Sequence, residues 1–321
     1  MSAGDIGSLG RARRLERAAA WGAIAHIALV AMALFAVPVL LSHGLAWAVL
    51  LIPVVLISNS YWAVLHEALH GNLLPGRAAN DALGRLLAIL FGSALGVLRT
   101  AHLGHHGFNR HVHDRPDTFD PGRVPHVIAY ARYYWGMLFG LYLGEIAAPL
   151  ICLLPRRLID RLIDRAFLPE EPGVAAHARA SLFAPGVLPG VRLDGLLALA
   201  VFGLAFWLYG ENWPLLAAFL VARGFLVGFV DNLYHHGTPL DDRRFAWNLA
   251  LPRWASLMIL HGNLHRQHHQ RPTLPWHRLP DAMTKRHDRF DEGFLSASVR
   301  QLKGPIEIDR LRRGAAAARS L

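Results

Sequence analysis

Apolar residues in this chain gather into long runs separated by polar, arginine-rich stretches. Trp21 to Leu41 and Ala46 to Leu65 contain no charged residue and nearly abut. Leu196 to Gly210 is also uncharged, and Trp213 to Val230 is interrupted only by Arg223. Runs of about 20 apolar residues are long enough to cross the hydrocarbon core of a bilayer as helices. The pattern therefore predicts membrane helices at about 21–42 and 46–66, turning at Ser42 to Gly44, and at about 193–210 and 213–233, turning at Gly210 to Asn212. The expectation is an all-α integral membrane protein with about four transmembrane helices in two hairpins.

The intervening stretches are less regular. Leu83 to Leu98 is apolar but short, and Arg85 interrupts it, so it suits the membrane interface. Tyr130 to Leu154 is long enough to cross once but contains Glu145. A crossing there would put Arg156, Arg157, Arg161 and Arg165 on the far side, against the positive-inside rule. An interfacial segment, a re-entrant one or two short passes is expected instead. Residues 155–190 form a polar insert that ends at Gly186, Pro189 and Gly190. Three parts result: a basic lead-in at 1–20, a membrane domain at 21–285 and a polar, arginine-rich tail at 286–321.

Composition agrees with the run pattern. Only 17% of the 321 residues are charged and 53% are hydrophobic, against about 25% charged in a soluble domain. The net charge is +10, and it comes from arginines flanking the apolar runs rather than from a soluble basic patch, so nucleic acid is not an expected partner. Arg11, Arg13, Arg14 and Arg17 precede the first run and predict a cytoplasmic amino terminus. An even number of crossings then returns the carboxyl terminus to the cytoplasm. The single cysteine, Cys152, excludes an intramolecular disulfide and any thiolate-built cluster.

The chain has 19 histidines, and their spacing carries the chemistry. His66 and His70 are four apart; His102, His105 and His106 follow the spacing i, i+3, i+4, and His265, His268 and His269 repeat it. Residues three and four apart share one face of a helix, so each set aims two or three imidazoles at one spot. A fourth group lies at the end of the last hairpin, where Asn232 and His236 are four apart with His235 beside them. Eight or nine imidazoles exceed what one zinc ion takes. Two metal ions with four or five ligands each fit the count, and without thiolates, in an apolar setting, a pair of irons that activates O2 is the natural reading. His66-Glu67-Ala68-Leu69-His70 also matches the H-E-x-x-H pattern of zinc proteases, but a protease would leave the other two sets without a role. In the two-iron reading Glu67 is a partner behind a ligand histidine or a solvated residue.

These three sets, in this order and with a large gap before the third, resemble the histidine boxes of the membrane fatty acid desaturase superfamily, which also includes carotenoid ketolases and hydroxylases and acyl-chain hydroxylases. The resemblance covers about residues 20–285. Asn109 and the Asp114 to Asp117 stretch after the second box, and Asn263 before the third, agree with it. It implies a cytosolic helical cap on four transmembrane helices, carrying the boxes and a di-iron centre. It further implies an extra ligand histidine at the last transmembrane helix with an asparagine one turn earlier that acts through water. By spacing these are His236 and Asn232, with His235 as the rival. Pro275-Trp276-His277-Arg278-Leu279-Pro280 is close to the tail of bacterial carotenoid ketolases. His261, four before His265, is a further candidate ligand or supporting donor, while His111 and His113 read as a polar loop.

The resemblance implies an oxidoreductase that uses O2 and external electrons. Desaturation of a fatty acyl or other lipid chain is the leading expectation. The alternative is a related oxygenase, a carotenoid ketolase or hydroxylase or an acyl hydroxylase. The third is a zinc protease or metal carrier. The expected metal ligands are His66, His70, His102, His105, His106, His236, His265, His268 and His269. No sequence element supplies electrons, so a separate donor of the ferredoxin, rubredoxin or cytochrome type is expected, together with a lipid-like substrate from the bilayer. The expected location is a bacterial inner membrane.

Overall fold

A computed structural model of the chain describes residues 3–312. Side chains of residues 1–13, 141–143 and 145 are not among those described, so Arg11, Arg13, Glu145 and the tail beyond Arg312 lie outside the described residues. The chain is predominantly helical. Helix α1 (Ala3–Ala31) takes the basic lead-in and the first apolar run as one piece and passes through a π-turn at Met32–Ala36 into α2 (Val37–Leu41). Pro38 near the start of α2 has no N–H to give the preceding turn and its ring crowds the carbonyl four residues back; the π-turn lies where that conflict falls.

After Gly44, at φ +144°, the chain returns through a 3-10 turn, α3 (Leu51–Leu56) and α4 (Ser58–His70), the two halves bent by 46°. Helices α5 (Arg77–Phe91) and α6 (Leu95–Phe108) follow, bent by 95° across Gly92. Next come β1 (Thr118–Phe119), α7 (His126–Trp135), α8 (Leu141–Ile151), α9 (Arg156–Phe167) and α10 (Pro172–Leu182). The run from Tyr130 to Leu154 is therefore one helical stretch, joined by a π-turn at Gly136–Gly140, and it lies along the last membrane helix.

The second hairpin is α11 (Val187–Tyr209) and α12 (Trp213–Leu233). Helix α11 begins hard against α6, where a Cβ on Gly96 would come within 2.6 Å of Val191, and ends with the Tyr209 hydroxyl donating to Ala33 O at 2.7 Å. Gly210, at φ +50°, breaks the helix. Helix α12 then returns past α5, where buried Arg223 donates to Leu90 O and Phe91 O and so satisfies carbonyls that the helix end leaves unpaired. Arg85 pairs with buried Asp194 at 2.6 Å and ties α5 to α11.

Arg14–Leu41 and Val187–Leu233 are long and apolar enough to cross a membrane, and the two bent pairs raise the number of candidate spans to four. The hairpins read from the sequence fall on the first, the second and the last of these stretches.

The remainder closes over one end of the bundle. It comprises β2 (Leu249–Ala250), α13 (Arg253–Met258), α14 (His265–Gln270), α15 (Leu279–Lys285), β3 (Glu292–Gly293), α16 (Phe294–Gln301) and β4 (Ile306–Glu307). Strand β4 pairs in parallel with β1, and β3 with β2. Residues 286–312, read from the sequence as a polar tail, are thus woven into this cap. Gly304 is the tight point: it sits at φ +99°, and a Cβ there would lie 2.5 Å from the Tyr130 ring.

Gly304→Ala is expected to lower the stability of the purified protein by more than about 1 kcal/mol, because alanine at positive φ is strained and the ring must move. Thermal unfolding in detergent measures it; an unchanged transition would show that the closure tolerates a side chain.

Candidate metal centre

Four helix ends converge beneath the cap. Helix α4 places His66 and His70 in its last turn and stops at Gly71, φ +78°, as a left-handed cap. Its final carbonyls are held from outside. Arg99, one turn before His102 on α6, donates to Leu69 O and Ala68 O at 3.0 Å, and Asn80 also donates to Ala68 O. The end of the first box is thereby fastened to the helix that carries the second. Helix α6 presents His102, His105 and His106 in its last turns. Helix α14 is only six residues long, so it needs outside support. Its outer positions provide that support: Arg266 pairs with Asp288 at 2.8 Å and with Asp291, and Gln267 donates to Asp288, which turns His265, His268 and His269 inward.

The convergence produces two groups of imidazoles. His66, His70, His102, His106 and His268 form one; His105, His235, His265 and His269 form the other. Within each group the ligand nitrogens all lie within 4.8 Å of one another. In the first group His102 Nε2 is 2.8 Å from His70 Nε2 and 3.1 Å from His106 Nε2, and His268 Nε2 is 3.0 Å from His106 Nε2. In the second, His105 Nε2 is 3.1 Å from His235 Nε2 and 3.2 Å from His269 Nε2, and His265 Nε2 is 3.1 Å from His235 Nε2. Donors around an ion at about 2.0–2.1 Å, the imidazole distance for zinc, have separations of this size.

The protonation chemistry fits metal binding. A neutral imidazole has one N–H and one lone pair. His105 spends its Nδ1–H on Asp114 Oδ2 at 2.7 Å, so its Nε2 lone pair points at two other ring nitrogens. His66 Nε2 is buried without a hydrogen-bond partner. Burial holds the pKa of His235, His265, His268 and His269 well below the usual histidine value, with charge on neighbouring imidazoles acting in the same direction. The neutral form is the one that ligates. The donor set therefore fits two metal ions, one per group.

At the fourth group the placement differs from the spacing-based expectation. The sequence favours His236; the structure brings His235 into the second group instead. His236 spends both ring nitrogens elsewhere: Nε2 donates to Gly304 O at 3.0 Å, and Nδ1 accepts from Arg300 at 3.0 Å. Asn232, expected to act through water near the metal, donates to Gln301 Oε1 at 2.8 Å. The reason is helical phase. Asn232 and His236 share a face, as their spacing says, but that face packs on α16, while the adjacent face, with Asp231 and His235, looks into the centre. His261 is likewise not among the grouped histidines; its Nδ1 pairs with Ser256 Oγ at 2.8 Å. His111 and His113 flank buried Glu171 outside both groups.

Glu67 is buried. Its Oε1 lies 3.9 Å from His66 Nδ1, and its Oε2 accepts the Trp276 N–H at 3.2 Å. It therefore stands behind the first box and fastens the segment after the third box to it. With His66 and His70 sharing a site with three further imidazoles, the zinc-protease pattern has no separate centre of its own. Two acids were not singled out in the sequence. Asp114 orients His105, and the stretch after the second box was its only signal. Asp231 lines a cleft with Asn59, Trp62, Tyr234, His66 and His265; an acid inside an apolar run was a signal available to find it.

That cleft opens between α4 and α12 and touches one histidine of the second group and two of the first, His66 and His268. The sequence profile of the fatty acid desaturase family matches residues 45–298. The chain belongs to that family, an oxidoreductase class of the membrane. It is also similar to β-carotene ketolases from two strains of Paracoccus sp. One is 27% identical over 229 residues, covering 69% of this chain and 73% of the relative. The other is 25% identical over 224 residues, covering 68% and 71%.

The geometry separates the two candidates at the end of α12. His235→Ala is expected to lower the metal bound per purified chain, and His236→Ala to leave it unchanged. Metal analysis of both variants decides this, and loss in His236→Ala alone would reverse the assignment. The depressed histidine pKa values also set a pH trend for the metal-free protein. The unfolded chain takes up protons below about pH 6.5 that the folded chain refuses, so stability falls as pH drops through that value. Melting the metal-depleted protein between neutral and mildly acidic pH tests it; a flat profile contradicts it.

Proposed function

We propose that this chain is a membrane-bound, O2-dependent oxidase in which His66, His70, His102, His106 and His268 hold one iron and His105, His235, His265 and His269 the other. When bound, the iron pair supplies the oxidising power to attack an unactivated C–H bond. The protein contributes position: α4 and α12 flank the cleft, so a hydrophobic substrate from the bilayer reaches the centre between them, and the placement of its carbon decides the product. Asp114 keeps His105 oriented, and Glu67 stands beside His66 and holds the Trp276 segment against it.

We read the reaction as ketolation of an isoprenoid lipid of the carotenoid type. The observation that carries this is the naming of both curated relatives as β-carotene ketolases. The Pro275 to Pro280 segment, close to a ketolase tail, supports it, and its Trp276 N–H sits on Glu67. The overall change takes one methylene, two O2, four electrons and four protons to one ketone and three waters. Acyl desaturation is the second reading, favoured by the family's name. It takes one O2, two electrons and two protons and yields a double bond and two waters. The location consistent with this reading is a cell membrane with both chain ends on the cap side, where a soluble donor has access.

Expression in a host with defined acyl lipids and a supply of β-carotene is the test. The expected result is a pigment that has lost two hydrogens and gained an oxygen derived from O2, with acyl unsaturation unchanged. New double bonds in acyl chains with unaltered pigment would replace ketolation by desaturation. Product formation without O2 would remove both.

A further inference from the structure

A second, larger cavity lies on the cap, walled in part by the same 256–265 and 278–280 segments that line the cleft between α4 and α12. It measures about 1270 Å³ and is walled mainly by residues 251–290, with Leu15 of α1 at one side. Four cations line it: Arg253 at the start of α13, Arg271 directly after α14, Arg278, and Lys285 at the end of α15. All four are solvent-exposed, and none forms an ion pair among the described residues. Elsewhere in the cap Arg110 is matched to Asp117, Arg266 to Asp288 and Asp291, and Arg300 to Glu292. Among the described residues Asp281 is the one acid on the cavity wall, and Glu16 faces His277 from α1. The cavity is therefore a concave, strongly positive surface whose charges are not used internally.

Its walls are the segments that carry the metal-centre residues. Asn263 and Leu264 line it and lead directly into His265; Arg271 follows the helix bearing His268 and His269. From Trp276 on the wall, a backbone N–H reaches Glu67 Oε2 at 3.2 Å, and Glu67 Oε1 lies 3.9 Å from His66 Nδ1. One peptide group, one carboxylate and one imidazole separate the cavity from the first group of histidines.

We propose that this basic cavity is the docking port of an acidic, one-electron protein carrier, and that its wall, through Leu264 beside His265 and through Trp276 and Glu67 beside His66, leads the electrons to the iron pair. The proposal rests on the oxidase reading above, which requires electrons that the chain has no group to store. Two carriers each give up one electron for every O2 consumed and leave oxidised. An anionic lipid headgroup is the competing occupant. It would account for one or two cations, but not for a cavity of this volume whose wall leads to the metal centre.

The experiment uses the full-length iron-loaded protein in nanodiscs, with an acidic [2Fe–2S] ferredoxin and its reductase as one electron source and reduced methyl viologen as the other. Arg271→Glu/Arg278→Glu is compared with Arg161→Glu/Arg165→Glu, which reverses two exposed arginines on α9. The KM for ferredoxin should rise about tenfold or more in the first variant only, because charge reversal removes steering. Turnover with viologen should be unchanged in both. Ferredoxin binding measured without turnover should weaken in the same variant and become less sensitive to salt. An unchanged KM and unchanged ferredoxin binding would overturn the port while leaving the oxidase reading intact. So would a defect seen only in nanodiscs containing anionic lipid, which would assign the cations to headgroups. Absence of O2-dependent turnover by the wild type under viologen would overturn the oxidase reading, and the port with it.

Discussion

Nine buried or half-buried imidazoles that point their nitrogens at one another are the constraint around which this protein is built. Each neutral ring has a single proton, and several Nε2 atoms face more than one other Nε2 at hydrogen-bond distance. Protonating the rings does not relieve this, because burial disfavours their charge. Lone pairs held together without donors between them are unfavourable in a low-dielectric interior. Two cations, one in each group, turn the same arrangement into a coordination site. The geometry is thus expensive as a protein core and well suited to metal.

The surrounding structure keeps the four helix ends from relaxing apart. Arg99 and Asn80 seize the carbonyls at the end of α4, Asp114 fixes the His105 ring, and Arg266 and Gln267 pull the outer face of α14 onto Asp288 and Asp291. Glu67 joins the first box to the segment after the third. Most of these contacts connect segments distant in sequence, so the centre is a product of the whole fold. Oxidation chemistry follows from the placement: the cleft between α4 and α12 opens along the apolar helices, and the basic cavity lies on the cap.

Much of this was legible in the chain because it is periodic. Uninterrupted apolar runs mark membrane helices, and spacings of three and four put His102, His105 and His106, or His265, His268 and His269, on one helical face. The expectation at His236 shows the limit. Spacing correctly couples Asn232 and His236 to one face, but it says nothing about which neighbour that face meets. Here it meets α16, a helix whose position depends on β3 and β4 and on the tight turn at Gly304. Gln301 and Arg300 take up Asn232 and His236 from there. The Glu67–Trp276 bond was hidden for the same reason, since it depends on a contact across the fold. The helical continuity of residues 126–151 was obscured because positive-inside reasoning tests crossings, not helicity.

The central claim is that the two histidine groups each hold one iron ion. Metal analysis combined with Mössbauer spectroscopy of the wild-type protein, loaded with iron-57 and purified in detergent, addresses it directly. The account predicts two irons per chain, in two nitrogen-ligated environments that differ because one group offers five imidazoles and the other four. A single bound ion, or a protein that retains zinc and rejects iron, would contradict it.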